Sequence, residues 1–138
     1  MGNNTMEKSK ELTLAAMYNV SAEHWPDTGL VSRYNDTIKK RPSEFSVDDI
    51  AFLIRQERFL DLVLPMAVEE LKKNPWAGEY WDGELLWSIA HLPAIPEQFR
   101  PEIASIASSI DPGKRELCDA ELRGWSMTVK ELKRHGLL

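Results

Sequence analysis

The stretch Phe45-Ser46-Val47-Asp48-Asp49-Ile50-Ala51-Phe52-Leu53-Ile54 carries the clearest structural signal in the chain. Serine is a residue type whose hydroxyl caps free helical amides, and Ser46 stands just before an apolar periodic run. Asp49 falls at the third helical position, where a capping box usually has glutamate, and Phe45 is placed to pack on Ile50 as a hydrophobic staple. Val47, Ile50, Leu53 and Ile54 then recur at the three-and-four spacing of one helical face. The stretch predicts a helix with one buried stripe that ends near Glu57, and Asp48 and Asp49 serve its start.

The same reading extends in both directions. Upstream, Leu12, Ala15 and Ala16 predict a helix from about Glu7 to Tyr18, followed by a polar loop from Asn19 to Gly29. Leu30, Val31, Tyr34 and Ile38 form the stripe of the next helix, which must stop by Arg41 because Pro42 disfavours helical geometry before it. Downstream, Phe59 to Lys73 is helical in pattern but contains Pro65, so a helix there is expected to kink or begin late. Asn74-Pro75 reads as a stop, and Trp76 to Trp81 as an aromatic loop. Asp82 is the expected cap of a helix carrying Leu85, Leu86, Ile89 and Leu92, which Pro93 ends. Ile103, Ile106, Ala107 and Ile110 share a face up to the turn Asp111-Pro112-Gly113. In the last helix Cys118, Leu122, Trp125, Val129 and Leu132 form an apolar stripe, basic residues occupy the negative end, and Gly136 terminates it. That stripe fits burial in the core or a dimer equally well.

No window alternates strictly with β-branched and aromatic residues, so the expected fold class is all-α: one single-domain bundle of six to seven short helices over residues 1–138. The length suits one core, and 43% hydrophobic residues supply the apolar material for it. The lone Cys118 forms no internal disulfide, and the start Met1-Gly2-Asn3-Asn4-Thr5 lacks the features of a secretory signal. A cytoplasmic protein is expected. No apolar run approaches the roughly 20 residues of a membrane span.

The charge distribution narrows the partner. A formal net charge of −5 argues against direct binding of nucleic acid, which shows a basic footprint, and favours a basic protein. Residues 74–99 hold Glu79, Asp82, Glu84 and Glu97 but no lysine or arginine. This acidic stretch includes Trp76, Tyr80 and Trp81, residue types that anchor protein interfaces. Trp81 fits equally a staple on Leu86. The candidate partner-binding residues are therefore Trp76, Glu79, Tyr80, Trp81, Asp82 and Glu84.

Motifs for chemistry are missing from the sequence. The seven glycines are scattered and form no phosphate-binding loop, and His24, His91 and His135 have no paired-ligand spacing, so neither cofactor nor metal is expected. Cys118 belongs to an apolar stripe and has no adjacent base, which points to a core role. Glu84 and His91 share a helical face and would suit an acid/base pair in a hydrolase, but each also complements a pole of the helix dipole. No catalytic residue is expected, and the chain reads as a binding protein.

Lys40-Arg41-Pro42-Ser43-Glu44-Phe45-Ser46-Val47-Asp48-Asp49-Ile50, with Ile54-Arg55-Gln56, Leu62-Val63-Leu64-Pro65-Met66-Ala67, Leu71, Asn74-Pro75 and Gly83-Glu84-Leu85-Leu86, resembles the contact-dependent growth inhibition (CDI) immunity proteins of bacteria. The resemblance covers about the middle third of the chain, mostly at positions that cap, stop or fill helices. It departs at Ser43, where a larger apolar residue is common, and at Glu57 to Phe59, where a glycine-containing turn is common. The resemblance implies a cytoplasmic helical protein, without cofactor or reaction, that binds the C-terminal toxin domain of a cognate CDI effector. Many such toxins are nucleases with basic clefts, which an acidic inhibitor suits. A helical adaptor for an endogenous protein is the alternative that composition alone leaves open.

Overall fold

The computed structural model describes residues 11–138. Seven α-helices run through them: α1 (Leu14–Tyr18), α2 (Gly29–Ile38), α3 (Val47–Arg55), α4 (Leu60–Lys73), α5 (Glu84–Ala90), α6 (Arg100–Ser108) and α7 (Asp119–Arg134). Three single 3₁₀ turns, Pro42–Glu44, Glu97–Phe99 and Pro112–Lys114, join them, and no strand occurs among the described residues. The all-α expectation holds. Residues 7–10 of the first expected helix lie outside the described residues, and within them that helix begins only at Leu14, with Thr13 as its cap, so residues 11–13 are not helical as expected.

The described residues form two compact units that divide between Ser46 and Val47. In the first, Thr13 and Thr28 cap α1 and α2 through their hydroxyls, which accept from the amides of Ala16 and Val31. The amide of Leu14 donates to the Lys40 carbonyl (2.9 Å), tying the two helices together. The Asn35 side chain pins the intervening loop by accepting from the Glu23 amide (2.8 Å) and donating to the Glu23 carbonyl (2.7 Å). Leu14, Tyr34 and Ile38 are buried.

In the second unit α3 packs on α4 and α5, α6 on α4, and α7 on α5. Ile50, Leu53, Ile54, Val63, Leu64, Leu71, Leu85, Leu86, Ile89, Ile103 and Leu132 fill the core. Asp48 and Asp49 lie buried in the first turn of α3, as the reading of that start requires. α4 runs unbroken through Pro65 and does not begin late. Pro65 is exposed, so the ring stands on the solvent side of the helix, outside the packed core.

Three helices end in the same way. A residue at or just beyond the cap turns left-handed, its amide reaches back three residues, and the next amide reaches back five, which together satisfy the orphan carbonyls. In α7 that residue is Gly136 (φ 76°), with Gly136 N–H on Lys133 and Leu137 N–H on Leu132. In α1 it is Asn19 (φ 52°). In α3 it is Glu57 (φ 55°), with amides of Glu57 and Arg58 on the carbonyls of Ile54 and Leu53. Phe59 is left-handed as well (φ 55°). The chain therefore makes a glycine-type turn at Glu57 to Phe59 without glycine.

Cys118 is exposed, against the expected core role. It is the N-cap of α7, its amide donating to Glu121 Oε1 (3.1 Å), so the helix begins one residue beyond it and turns it outward. The buried stripe of α7 shifts accordingly to Thr128 and Leu132, with Gly124, Trp125 and Val129 half-buried and Leu122 exposed.

Candidate functional site

Residues 76–83 make up most of the link between α4 and α5, and backbone bonds fold it back on itself. Gly83 N–H donates to the Trp76 carbonyl (2.9 Å) and Leu85 N–H to Ala77 (3.0 Å). This closure brings the Trp81 carbonyl so near Gly78 that a β-carbon there would lie 2.1 Å from it, so only glycine fits. The left-handed Gly83 (φ 94°), and not Asp82, is the N-cap of α5. Asp82 instead pairs with Arg115, whose Nε donates to its Oδ2 at 3.0 Å.

Glu84 is the organiser of this loop. Its Oε1 accepts from the amides of Glu79 (3.0 Å) and Tyr80 (3.4 Å), and its Oε2 lies 3.5 Å from Arg55 Nη1 at the end of α3. Arg55 also donates to Ser88 Oγ (3.2 Å), which donates to the Glu84 carbonyl (2.9 Å). With only 3% of its surface exposed, Glu84 is a structural carboxylate that holds the loop from beneath. Trp76 is buried too, packed on Trp125 with ring centroids 5.3 Å apart and covered by the Arg115 guanidinium.

The six expected residues are thus neighbours, at two depths. Glu79 and Tyr80 are exposed, Trp81 and Asp82 are half-exposed, and Trp76 and Glu84 lie underneath and offer little surface to a partner. The acidic character expected of the stretch is also diluted in space. Arg115 and Arg55, distant in sequence, answer Asp82 and Glu84, so that Glu79 is the charge of the loop tip without an ion-pair partner among the described residues.

Trp81 stands edge-on to Trp87 (5.8 Å, 77°). Its ring lies against α7 at Gly124, where a β-carbon would approach to 3.0 Å. Trp81, Trp87, Ala120, Arg123, Gly124 and Met127 line a surface groove of about 390 Å³ that sequence reading missed. A glycine inside an otherwise regular helix was the signal for it. Glu121, at the groove's end, bridges loop and helix by accepting from Asp82 N–H (3.2 Å) and Cys118 N–H. The Cys118 amide first, and then the Asp82 amide, hold its carboxyl below the ordinary glutamate value.

Glu84 and His91 do not form an acid/base pair. The histidine ring stacks on Trp87 (4.0 Å), its Nδ1 2.8 Å from the Trp87 carbonyl, while Glu84 is committed to the loop and Arg55. At the other end of α5, Arg134 Nη2 donates to the Leu92 carbonyl (3.1 Å) and the His135 ring reaches that of Ala90 (2.9 Å). The basic end of α7 therefore serves the negative pole of a neighbouring helix as well as its own. No group of side chains suited to a metal ion, and no helix long and apolar enough to cross a membrane, occurs among the described residues.

No curated protein matches the chain. Residues 16–103, well over half of the chain, match the CDI immunity proteins, a stretch that runs from α1 through the clamped loop into α6. α3 with its acidic first turn, the Asn74-Pro75 stop and the Gly83-Glu84 start all fall within it, and the chain belongs to the family of CDI immunity proteins.

Proposed function

We propose that this protein binds and neutralises, in the cytoplasm, the C-terminal toxin domain of a cognate CDI effector, a basic nuclease domain. The observation that carries the reading is the family match across residues 16–103. CDI immunity proteins as a family are not enzymes, and the action proposed here is occlusion by binding. The net charge of −5 favours encounter with a basic domain through long-range steering.

The contact face is built on the loop of residues 76–83. Tyr80, with 73% of its surface exposed, supplies the anchor, flanked by Glu79, Trp81 and Asp82, while Trp76 and Glu84 hold the loop in shape. A loop fixed before binding loses little conformational entropy on complex formation, which favours the tight association immunity requires.

The test is co-purification with the C-terminal domain of the effector encoded directly upstream, then calorimetric titration at two salt concentrations. A one-to-one complex of about 1 nM or tighter, near −12 kcal/mol, weakened by salt and abolishing toxin activity, is the expected result. Tyr80→Ala is expected to weaken it by about 2 kcal/mol or more. Absence of binding overturns the reading.

A further inference from the structure

We infer that the groove between Trp81 and α7 receives an apolar side chain of the toxin domain that is followed closely by a carboxylate, and that Arg123 takes that carboxylate. The inference rests on the proposed immunity function and extends its contact face onto α7, beyond the residues matched to the family.

Three observations lead to it. The groove's lining is almost wholly apolar, and Met127 stands half exposed beside it, an unfavourable surface for a helix to leave in water. Its volume of about 390 Å³ lies in the lower range of binding clefts and suits a side chain more than an extended ligand. Gly124 lets the Trp81 ring sit close against the helix: a β-carbon there would stand 3.0 Å from the ring and press it outward by a few tenths of an ångström, although glycine costs a helix about 1 kcal/mol relative to alanine.

The charge around the groove identifies the occupant. Arg115, close by, is taken by Asp82 and by the face of Trp76. Glu121, the acid in the lining, has one oxygen on the Cys118 amide and the other on the Asp82 amide. Glu121 is thus engaged by backbone amides, whereas Arg123, also in the lining, has no ion-pair partner among the described residues. A second copy of the chain seated on this groove by a two-fold axis would bring two such arginines together. An acidic group beside an apolar anchor answers both needs at once. Long-range attraction of a basic domain to an acidic chain is compatible with this local pairing of opposite sense, because steering sums the whole charge while docking reads individual contacts.

The experiment titrates the purified C-terminal domain of the upstream-encoded effector into the full-length chain and its Met127→Lys, Arg123→Glu and Arg123→Lys variants. Both altered positions are solvent-facing, and circular dichroism melts verify that the variants fold. Expected are a rise in Kd of about 30-fold or more for Met127→Lys and about tenfold or more for Arg123→Glu, with Arg123→Lys near the unaltered chain. The Arg123→Glu effect is expected to shrink as salt rises, which a purely structural role would not produce. Unchanged affinity of the two disruptive variants, with the unaltered chain binding tightly, overturns the groove assignment and leaves the immunity reading standing. No binding by the unaltered chain overturns both. A dimer of the chain alone by light scattering, dissolved by Met127→Lys, assigns the groove to a second copy and overturns the inference.

Discussion

Arg55 Nη1 stands 3.5 Å from Glu84 Oε2, so the end of α3 and the first turn of α5 meet through one buried carboxylate whose other oxygen carries the loop between α4 and α5. Glu84→Gln retains an acceptor for the loop amides but removes the charge, and is expected to destabilise by about 1 kcal/mol. Glu84→Ala removes both and is expected to cost about 3 kcal/mol. In a urea-denaturation cycle, Arg55→Met is expected to cost more in the unaltered chain than in the Glu84→Gln background, because only with the carboxylate present does it strand a buried charge. Equal costs in both backgrounds would show that the ion pair contributes nothing.

Gly124 and Trp81 form a second coupled pair. In the unaltered chain Gly124→Ala sets a helix-propensity gain of about 1 kcal/mol against a β-carbon 3.0 Å from the Trp81 ring. In a Trp81→Ala background the gain is expected to emerge alone, stabilising by about 1 kcal/mol, whereas with Trp81 present it is expected to vanish or reverse. The same stabilisation in both backgrounds would contradict the packing described here.

The end of α3 predicts a stabilising change. Glu57 is exposed and left-handed, a conformation costing a non-glycine residue roughly 1–2 kcal/mol. Glycine loses more freedom on folding, so the net gain of Glu57→Gly is expected to be up to about 1 kcal/mol, read as a higher denaturation midpoint with an unchanged slope. A lower midpoint would mean that the Glu57 side chain contributes more than its backbone costs.

Acid is expected to act on Glu121. Because its folded-state pKa is depressed, its contribution is complete above the unfolded value of about 4.3 and is lost as pH falls through the lower folded value. The difference in melting temperature between the unaltered chain and Glu121→Gln is therefore expected to be flat from neutral pH to about 5 and to narrow below about 4. A difference independent of pH down to about 2 would remove the carboxylate from that role.

Much of the fold was legible because helix starts and stops are written locally. Ser46 to Ile50, Asn74-Pro75, Pro93 and Gly136 mark boundaries that the structure keeps. The failures have a common physical source, which is that they depend on residues far apart in sequence. Asp82 is a good capping residue by type, but Arg115, 33 positions away, claims it and Gly83 caps α5. Cys118 fits an apolar stripe by spacing, yet the helix starts beyond it. Glu57 carries no chemical hint of a left-handed turn. At the candidate site the sequence placed the aromatic and acidic residues together but not their depths, because the burial of Glu84 follows from Arg55 and that of Trp76 from Trp125 and Arg115.

The Glu84 clamp has a consequence for hydrogen exchange. In a molecule whose described residues contain no sheet, one carboxylate does for two successive loop amides what a neighbouring strand would do. The loop tip is therefore split: Tyr80 projects its ring into solvent while its own amide and that of Glu79 are engaged from below. In deuterated water the Glu79 amide, with the shorter bond, is expected to exchange at rates typical of helix interiors, and the Tyr80 amide somewhat faster. Both are expected to fall to the rapid exchange of open loops in Glu84→Ala. A surface that looks like a loose turn by side-chain exposure would then behave, on the timescale of backbone opening, as part of the core.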